Sequence, residues 1–249
     1  MKKINLLSIL IIICVVSVLG MAILFLVSRQ DLNEIKEAKI SEIDQLKNVN
    51  KNVLDEAQKM VANNVRPIDQ TDHVKGDLNA PVKIMVYSDF ECPFCASFVS
   101  TLNQVEKEFG EKVVIAFRHY PLRSHFNAIP AANASECASD QGKFWEMHDL
   151  LFKNASDDKL NNEQYIQNAK DLGLDLVNFS KCIEMQEHKD KIIASQIDGK
   201  EVGVSGTPGS FVNGEVVPGA VPFEDFKDSS GRDREGLKTI INRKLQIAN

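Results

Sequence analysis

Two cysteines separated by two residues are the chemically most informative feature of this chain. The motif Cys92-Pro93-Phe94-Cys95 follows a short apolar run, Val82 to Tyr87, and precedes a helical pattern from Ala96 to Phe109. The first turn of a helix has unpaired N–H groups and a partial positive charge, and both favour an anionic sulfur atom placed there. The pattern therefore predicts a strand, a turn and a helix that together lower the pKa of Cys92.

The spacing also predicts what this thiol does. Residues three positions apart lie on one face of a helix, so Cys92 and Cys95 can bridge, and one thiolate can attack a partner disulfide while the other resolves the intermediate. A zinc half-site and an inert structural bridge are the alternatives. A structural zinc site normally needs a second Cys or His pair at short spacing, which the sequence lacks. We expect no metal and no cofactor; the histidines, which show no metal-ligand spacing, are His73, His119, His125, His148 and His188.

Composition and length exclude several classes of protein. The chain has 249 residues, 43% hydrophobic and 26% charged, with a formal net charge of −6. Its basic residues are scattered, so nothing points to nucleic-acid binding. The part that follows the N-terminal segments is long enough for one domain with its own core.

The N-terminal segment predicts a membrane anchor. Leu6 to Val27 contains 22 residues without a charge, which as a helix would span about 33 Å, enough to cross the hydrocarbon core. We assign residues 1–28 to a short cytoplasmic tip and a single transmembrane signal anchor, with the catalytic domain outside the cytoplasm. Cleavage after Gly20-Met21-Ala22 is the alternative. Apart from Cys14 the chain has four cysteines, an even number that fits an oxidising compartment.

The next segment, residues 29–66, is rich in charged residues and predicts a helical stalk. Apolar residues recur in it at intervals of three and four, as in an amphipathic helix. Its role is either to hold the following domain, residues 67–249, away from the membrane or to join two copies of the chain.

The order of elements in this domain predicts its fold. Val82 to Tyr87 and Lys112 to His119 read as strands, and a helix-rich stretch then covers about residues 123–204. Asn213-Gly214 between apolar pairs predicts a hairpin, and Glu235 to Ile247 a last helix. Strand, helix, strand, helical block, hairpin and helix is the order of an α/β thioredoxin core with an inserted helical domain.

Three motifs resemble those of the DsbA-like family of thiol:disulfide oxidoreductases. They are Asp89 to Cys95, Gln141-Gly142-Lys143-Phe144-Trp145, and Gly203 to Pro208 followed by Phe211-Val212-Asn213-Gly214. The resemblance runs from about Asp72 to the C-terminus and implies a thioredoxin fold with a helical insertion.

The resemblance also implies roles for individual residues. Cys92 is the expected nucleophile and Cys95 the resolving thiol, while Pro93 and Phe94 shape the site. Thr207-Pro208 is expected to be a cis peptide bond that lies against the thiols, although most X-Pro bonds are trans.

The resemblance implies that cysteines of exported proteins are oxidised, with reoxidation by a membrane quinone-linked partner of the DsbB or vitamin-K-epoxide-reductase-like type. A reductase or isomerase, and a non-catalytic, chaperone-like module that binds peptides, are the alternatives.

Two positions depart from the family pattern, and two further cysteines remain to be placed. Val86 stands where many thioredoxin-fold proteins have a buried acid, and Phe94 where strong oxidants have histidine.

Cys137 and Cys182 lie on separate predicted helices of the insertion, and some family members have such a pair. They are either a structural disulfide or two buried free thiols.

Overall fold

The computed structural model of this protein describes residues 17, 19, 34–53, 56 and 64–247. The chain divides into two units, Met1–Ala57 and Gln58–Asn249. In the first unit residues 34–53 are helical (α1), as the apolar spacing predicts, and their large apolar side chains are exposed. The anchor predicted for residues 1–28 lies almost wholly outside the described residues. Within the ranges that the structure describes, no helix is both long and apolar enough to span a bilayer.

The second unit alternates strands and helices. Its elements are β1 (His73–Lys75), β2 (Val82–Ser88), α2 (Pro93–Phe109), β3 (Val113–His119), α3 (Ala128–Ser139), α4 (Phe144–Ser156), α5 (Asn162–Asp171), α6 (Leu176–Met185), α7 (Lys189–Glu201), β4 (Gly209–Val212), β5 (Glu215–Pro218), β6 (Phe226–Lys227), β7 (Asp233–Arg234) and α8 (Leu237–Ile247). The predicted strands and helices are confirmed to within a few residues. The short ribbon of β6 and β7 was not predicted, because two-residue strands leave no periodic pattern.

Five strands form the central sheet in the order β1-β3-β2-β4-β5. β2 and β3 are parallel, in register from Val82 opposite Val113 to Ser88 opposite His119, and the other pairs are antiparallel. The carboxyl ends of β2 and β3 therefore meet at one edge of the sheet. The segments that follow them must lie side by side there.

Both faces of the sheet are covered, because alternate residues of a strand point to opposite faces. Ile84 and Val86 of β2 are buried on the face that carries α2 and α8. Met85 and Tyr87 are buried on the opposite face, together with Tyr120 from the segment after β3. A strand buried on both faces explains why β2 reads as a continuous apolar run.

The helical insertion, α3 to α7, has a core of its own that reaches the thiols. Met147, Leu151 and Phe179 are fully buried in it, and the same cluster includes Cys92 and Cys95. The insertion therefore shields the thiols from one side.

The hairpin prediction is confirmed, since β4 pairs with β5 around Asn213-Gly214. Both turn residues have positive φ, 46° and 81°, which is the backbone that a tight two-residue hairpin requires. This turn sets the register of β4 on β5, and β4 begins directly after Pro208.

A disulfide bond joins Cys137 of α3 to Cys182 of α6, with an S–S distance of 1.98 Å and Cα atoms 5.9 Å apart. Both cysteines are buried. Of the two arrangements that the sequence left open for this pair, the structure has the bridged one.

Replacing both Cys137 and Cys182 with alanine should lower the free energy of unfolding by roughly 2–4 kcal/mol, because the bridge closes a long loop and restricts the unfolded chain. Urea denaturation followed by circular dichroism measures this difference. The unaltered protein in a dithiol reductant should approach the variant. Peptide mapping without reduction that finds both residues as free thiols would refute the bridge.

Candidate active site

The turn between β2 and α2 places Cys92 at the N-terminal end of the helix. The Cys92 N–H donates to the Asp89 carbonyl at 3.1 Å, and the Cys92 carbonyl accepts from Cys95 N at 3.0 Å. The Asp89 side chain accepts from the Glu91 N–H at 2.8 Å. Pro93 occupies the first turn, where its missing N–H leaves no bond unmade. The short turn therefore delivers both thiols to the helix start, as the sequence predicts.

The environment of Cys92 favours its thiolate. Hydrogen bonding from the Cys95 thiol lowers the pKa of Cys92 to about 5, against the opposing effect of burial. Thr207 and the backbone N–H groups of Cys95 and Phe94 add to this lowering. These N–H groups belong to the first helical turn, where the end of the helix stabilises an anion.

Cys95 has the opposite character. Burial raises the pKa of its thiol, and the nearby Cys92 raises it further, while hydrogen bonds from Ser88 and the Asp89 backbone act weakly the other way. Val86 is buried in the sheet core and offers no proton acceptor to this thiol. The two cysteines are thus a thiolate and a protonated thiol at neutral pH.

A cis peptide bond between Thr207 and Pro208 lies beside the thiols. The Cys92 thiol donates to the Thr207 carbonyl at 3.3 Å. The Thr207 hydroxyl is buried and has no hydrogen-bond partner among the described residues. Once Cys92 ionises, this hydroxyl can donate to the thiolate, which agrees with its lowering of the Cys92 pKa.

Two phenylalanines are exposed on segments near Cys92. Phe94, between the cysteines, is 66% exposed, and Phe126 is 88% exposed. The neighbouring residue Asn127 donates its backbone N–H to the Glu91 carboxylate at 2.6 Å, which ties the Phe126 segment to the turn before Cys92. A cavity of about 310 Å³ is lined by Thr207 and Pro208. Extended apolar chains are the ligands that such surroundings suit.

His125 is a site residue that the sequence analysis missed. Its Nδ1 lies 2.8 Å from Oδ2 of the buried Asp89, which also accepts from Leu122 N at 2.7 Å. Partial burial disfavours the His125 cation, but Asp89, Glu91 and Cys92 outweigh burial and raise the pKa of His125. The loop after β3 thus places an imidazole whose cation Cys92 helps to stabilise, although the motif itself carries Phe94 instead of histidine.

A signal for His125 was present in the topology. Segments that follow adjacent parallel strands gather at the carboxyl edge of the sheet. The turn after β2 carries Cys92, and the loop after β3 carries His125. Motif spacing could not reveal this, because the two residues are 33 positions apart.

The fold and this site together define a class, the thioredoxin-fold proteins with a dithiol at the start of the helix that follows a central strand. A family model described as Thioredoxin matches residues 69–229, and this chain belongs to that family. BdbD from Bacillus subtilis superposes with a TM-score of 0.61, at 20% identity, over 73% of this chain and 96% of BdbD. The thiol-disulfide exchange protein alpha-DsbA2 from Wolbachia pipientis gives 0.60, at 19% identity, over 80% and 98%. The predicted DsbA-like fold is confirmed.

Curated relatives match only a part of their own length. The Na(+)/H(+) antiporter NhaA 1 of Mycobacterium sp. (strain KMS) is 36% identical over 155 residues, which are 61% of this chain and 25% of the antiporter. The chain thus spans about a quarter of the length of the curated relatives it matches. Antiport is the activity named for those longer proteins, and the match assigns no transport activity to this chain.

Alkylation of Cys92 should follow a titration with a midpoint near pH 5. Because only the thiolate reacts, the rate should rise about tenfold per pH unit below the midpoint and level off above it. Iodoacetamide labelling of the reduced protein, read by mass spectrometry at the peptide that contains Cys92, measures this. A rate that climbs up to pH 8–9, as for an ordinary cysteine, would contradict the thiolate.

Replacing His125 with glutamine should raise the pKa of Cys92 by roughly half a unit to one unit, the effect of one nearby charge in a partly solvated site. The same alkylation titration measures the shift. The matched control is His188→Gln, which removes a histidine paired with a different carboxylate, Asp140, and should leave the midpoint in place. An unchanged midpoint in His125→Gln would show that this histidine only braces the loop.

Proposed function

We propose that this protein exchanges thiols for disulfides through Cys92 and Cys95 and that it acts mainly as an oxidase. The two thiols have pKa values shifted in opposite directions, and this asymmetry is the observation that carries the proposal. A stabilised thiolate favours the reduced form of the protein over its disulfide. The disulfide form is therefore a good oxidant.

The reaction begins with Cys92 and Cys95 joined as a disulfide. A substrate thiolate attacks the Cys92 sulfur, the Cys92–Cys95 bond breaks, and Cys95 leaves and takes up a proton. A second substrate thiolate then attacks the substrate sulfur of the mixed disulfide and expels Cys92 as a thiolate. The substrate loses two electrons and gains a disulfide, while the protein gains both electrons as a dithiol.

The shifted pKa values favour this direction over its reverse. A thiolate of low pKa is a good leaving group, so Cys92 is readily expelled from the mixed disulfide. In a reductase, Cys95 must ionise to resolve the mixed disulfide. Burial and the adjacent Cys92 oppose that ionisation.

We further propose that the substrates are exported proteins with cysteines, which bind to this protein while their chains are still extended. The Thr207 carbonyl and the cavity beside Pro208 offer a place for a peptide backbone, and Phe94 and Phe126 offer apolar contact. A catalytic domain outside the cytoplasm, held by the N-terminal anchor, would meet such chains as they emerge. Returning the dithiol to a disulfide requires an acceptor of two electrons, for which a quinone-linked membrane partner of the DsbB or vitamin-K-epoxide-reductase-like type is suited.

Replacement of Cys92 with serine should abolish the oxidation of a reduced, unfolded substrate, because the attacked sulfur is gone. Replacement of Cys95 with serine should instead accumulate a mixed disulfide when the variant meets a disulfide-bonded substrate, because the Cys92 thiolate attacks the substrate disulfide, expels one substrate thiolate and finds no second thiol to resolve the product; a non-reducing gel shows this species. The double variant Cys137→Ala/Cys182→Ala should keep its activity and serves as the control. Full activity in Cys92→Ser would point to a chaperone-like module that binds peptides.

The direction of exchange is tested by equilibrating full-length protein with glutathione buffers. The proposal predicts an oxidising dithiol and faster action on reduced than on scrambled substrate. A strongly reducing dithiol, or a preference for scrambled substrate, would favour the reductase or isomerase.

A further inference from the structure

Two histidines and a glutamate lie together near the paired strands β1 and β3. The Nε2 atoms of His73 and His119 lie 2.8 Å and 2.9 Å from the same atom, Oε1 of Glu136. The three residues come from β1, β3 and α3. They are 46 and 17 positions apart in sequence, which is why the spacing of the histidines gave no sign of a metal site.

These three donor atoms match a known preference. Zinc binds imidazole nitrogen and carboxylate oxygen at about 2.0–2.2 Å, and three protein ligands with one open position are an established arrangement. Glu136 is 1% exposed and His119 is 3% exposed. A buried carboxylate held between two imidazoles is therefore pre-positioned for a divalent cation.

Two of the three distances fit after a small adjustment, and the three ligand atoms all lie within 4.8 Å of one another. In a tetrahedral site with bonds of about 2.05 Å, ligand atoms are separated by about 3.3 Å. The two contacts at 2.8 Å and 2.9 Å would have to open by about half an ångström. His73 lies on the short edge strand β1, is only partly buried and stacks its ring on Phe144, so an adjustment of this size has to keep the ring on the phenylalanine.

The surroundings leave a path by which a metal ion can enter and a fourth coordination position that water can fill. A cavity of about 390 Å³ is lined by His73, His119 and Glu136, so water can reach the cluster and complete the coordination. Lys191 binds the other carboxylate oxygen, Oε2, at 2.6 Å. In metal sites, the second oxygen of a ligating carboxylate is commonly hydrogen-bonded by a neighbouring residue. Lys191 can have this role, and it leaves Oε1 free to bind the metal.

We propose that His73, His119 and Glu136 form a zinc-binding site, with the fourth position filled by water from the cavity. The site joins β1 and β3 of the sheet to α3 of the insertion, so bound zinc would brace the insertion against the core. The site uses neither Cys92 nor Cys95, so the zinc proposal does not depend on the proposed function. The competing arrangement is a metal-free network in which each imidazole donates Nε2–H to Glu136.

The test is a calorimetric zinc titration of untagged, full-length protein with the Cys92–Cys95 disulfide closed, so that the active-site thiols cannot bind metal. The proposal predicts one zinc per chain, and at least about tenfold weaker binding in His73→Gln, the cost of losing a ligand or its support. The control is His188→Gln, which removes a histidine near the Cys137–Cys182 disulfide and should bind as the unaltered protein does. Circular dichroism establishes that each variant is folded.

Two further readouts keep the test independent of any variant. Zinc should raise the unfolding midpoint of the unaltered protein, because it binds the folded state. Cobalt should give visible bands of tetrahedral coordination without the sulfur-to-metal band of a thiolate ligand. The absence of saturable zinc binding, equal binding by His73→Gln, or a thiolate band with cobalt would overturn the proposal.

Discussion

The hydrogen bonds and helix-end charge that surround the Cys92 sulfur are the interaction on which the rest of this site depends. A thiolate at the start of α2 accepts hydrogen bonds from the Cys95 thiol and from backbone N–H groups, and together with Thr207 these groups lower the pKa of Cys92 to about 5. Burial works against the charge, so the thiolate exists only because these donors are already in place. Everything proposed about the direction of electron flow follows from that arrangement.

The sheet supplies the geometry that this sulfur needs. Parallel pairing of β2 with β3 brings the turn with Cys92 and the loop with His125 to one edge. Antiparallel pairing of β2 with β4 brings Pro208 to the same edge from the distant end of the insertion. These three segments, one of them separated from the other two by the whole helical block, therefore meet because of strand order, which is a property of the topology and of no single motif.

The helical insertion has two structural functions here. Its apolar core extends to Cys92 and Cys95 and so helps to bury the resolving thiol. Buried and partly buried polar residues join it to the sheet, since Glu136 of α3 contacts His73 and His119, and Asp198 of α7 contacts Arg118. Breaking one member of such a buried network is costly, because the charge that remains loses its partner. These contacts hold the insertion in place over the thiols.

Much of this molecule was predictable from local pattern. The spacing of apolar residues predicts the strands and most helices. The turn residues predict the Asn213-Gly214 hairpin, and the end of a helix predicts the acidic thiol. Each of these patterns acts over a few residues. Tertiary structure alone decided that His125 pairs with the buried Asp89 before the thiol motif, that Cys137 meets Cys182, and that His73 and His119 share one carboxylate. Those outcomes depend on strand order and on how helices pack, and the physical reason is that burial and charge act between neighbours in space, whatever their separation along the chain.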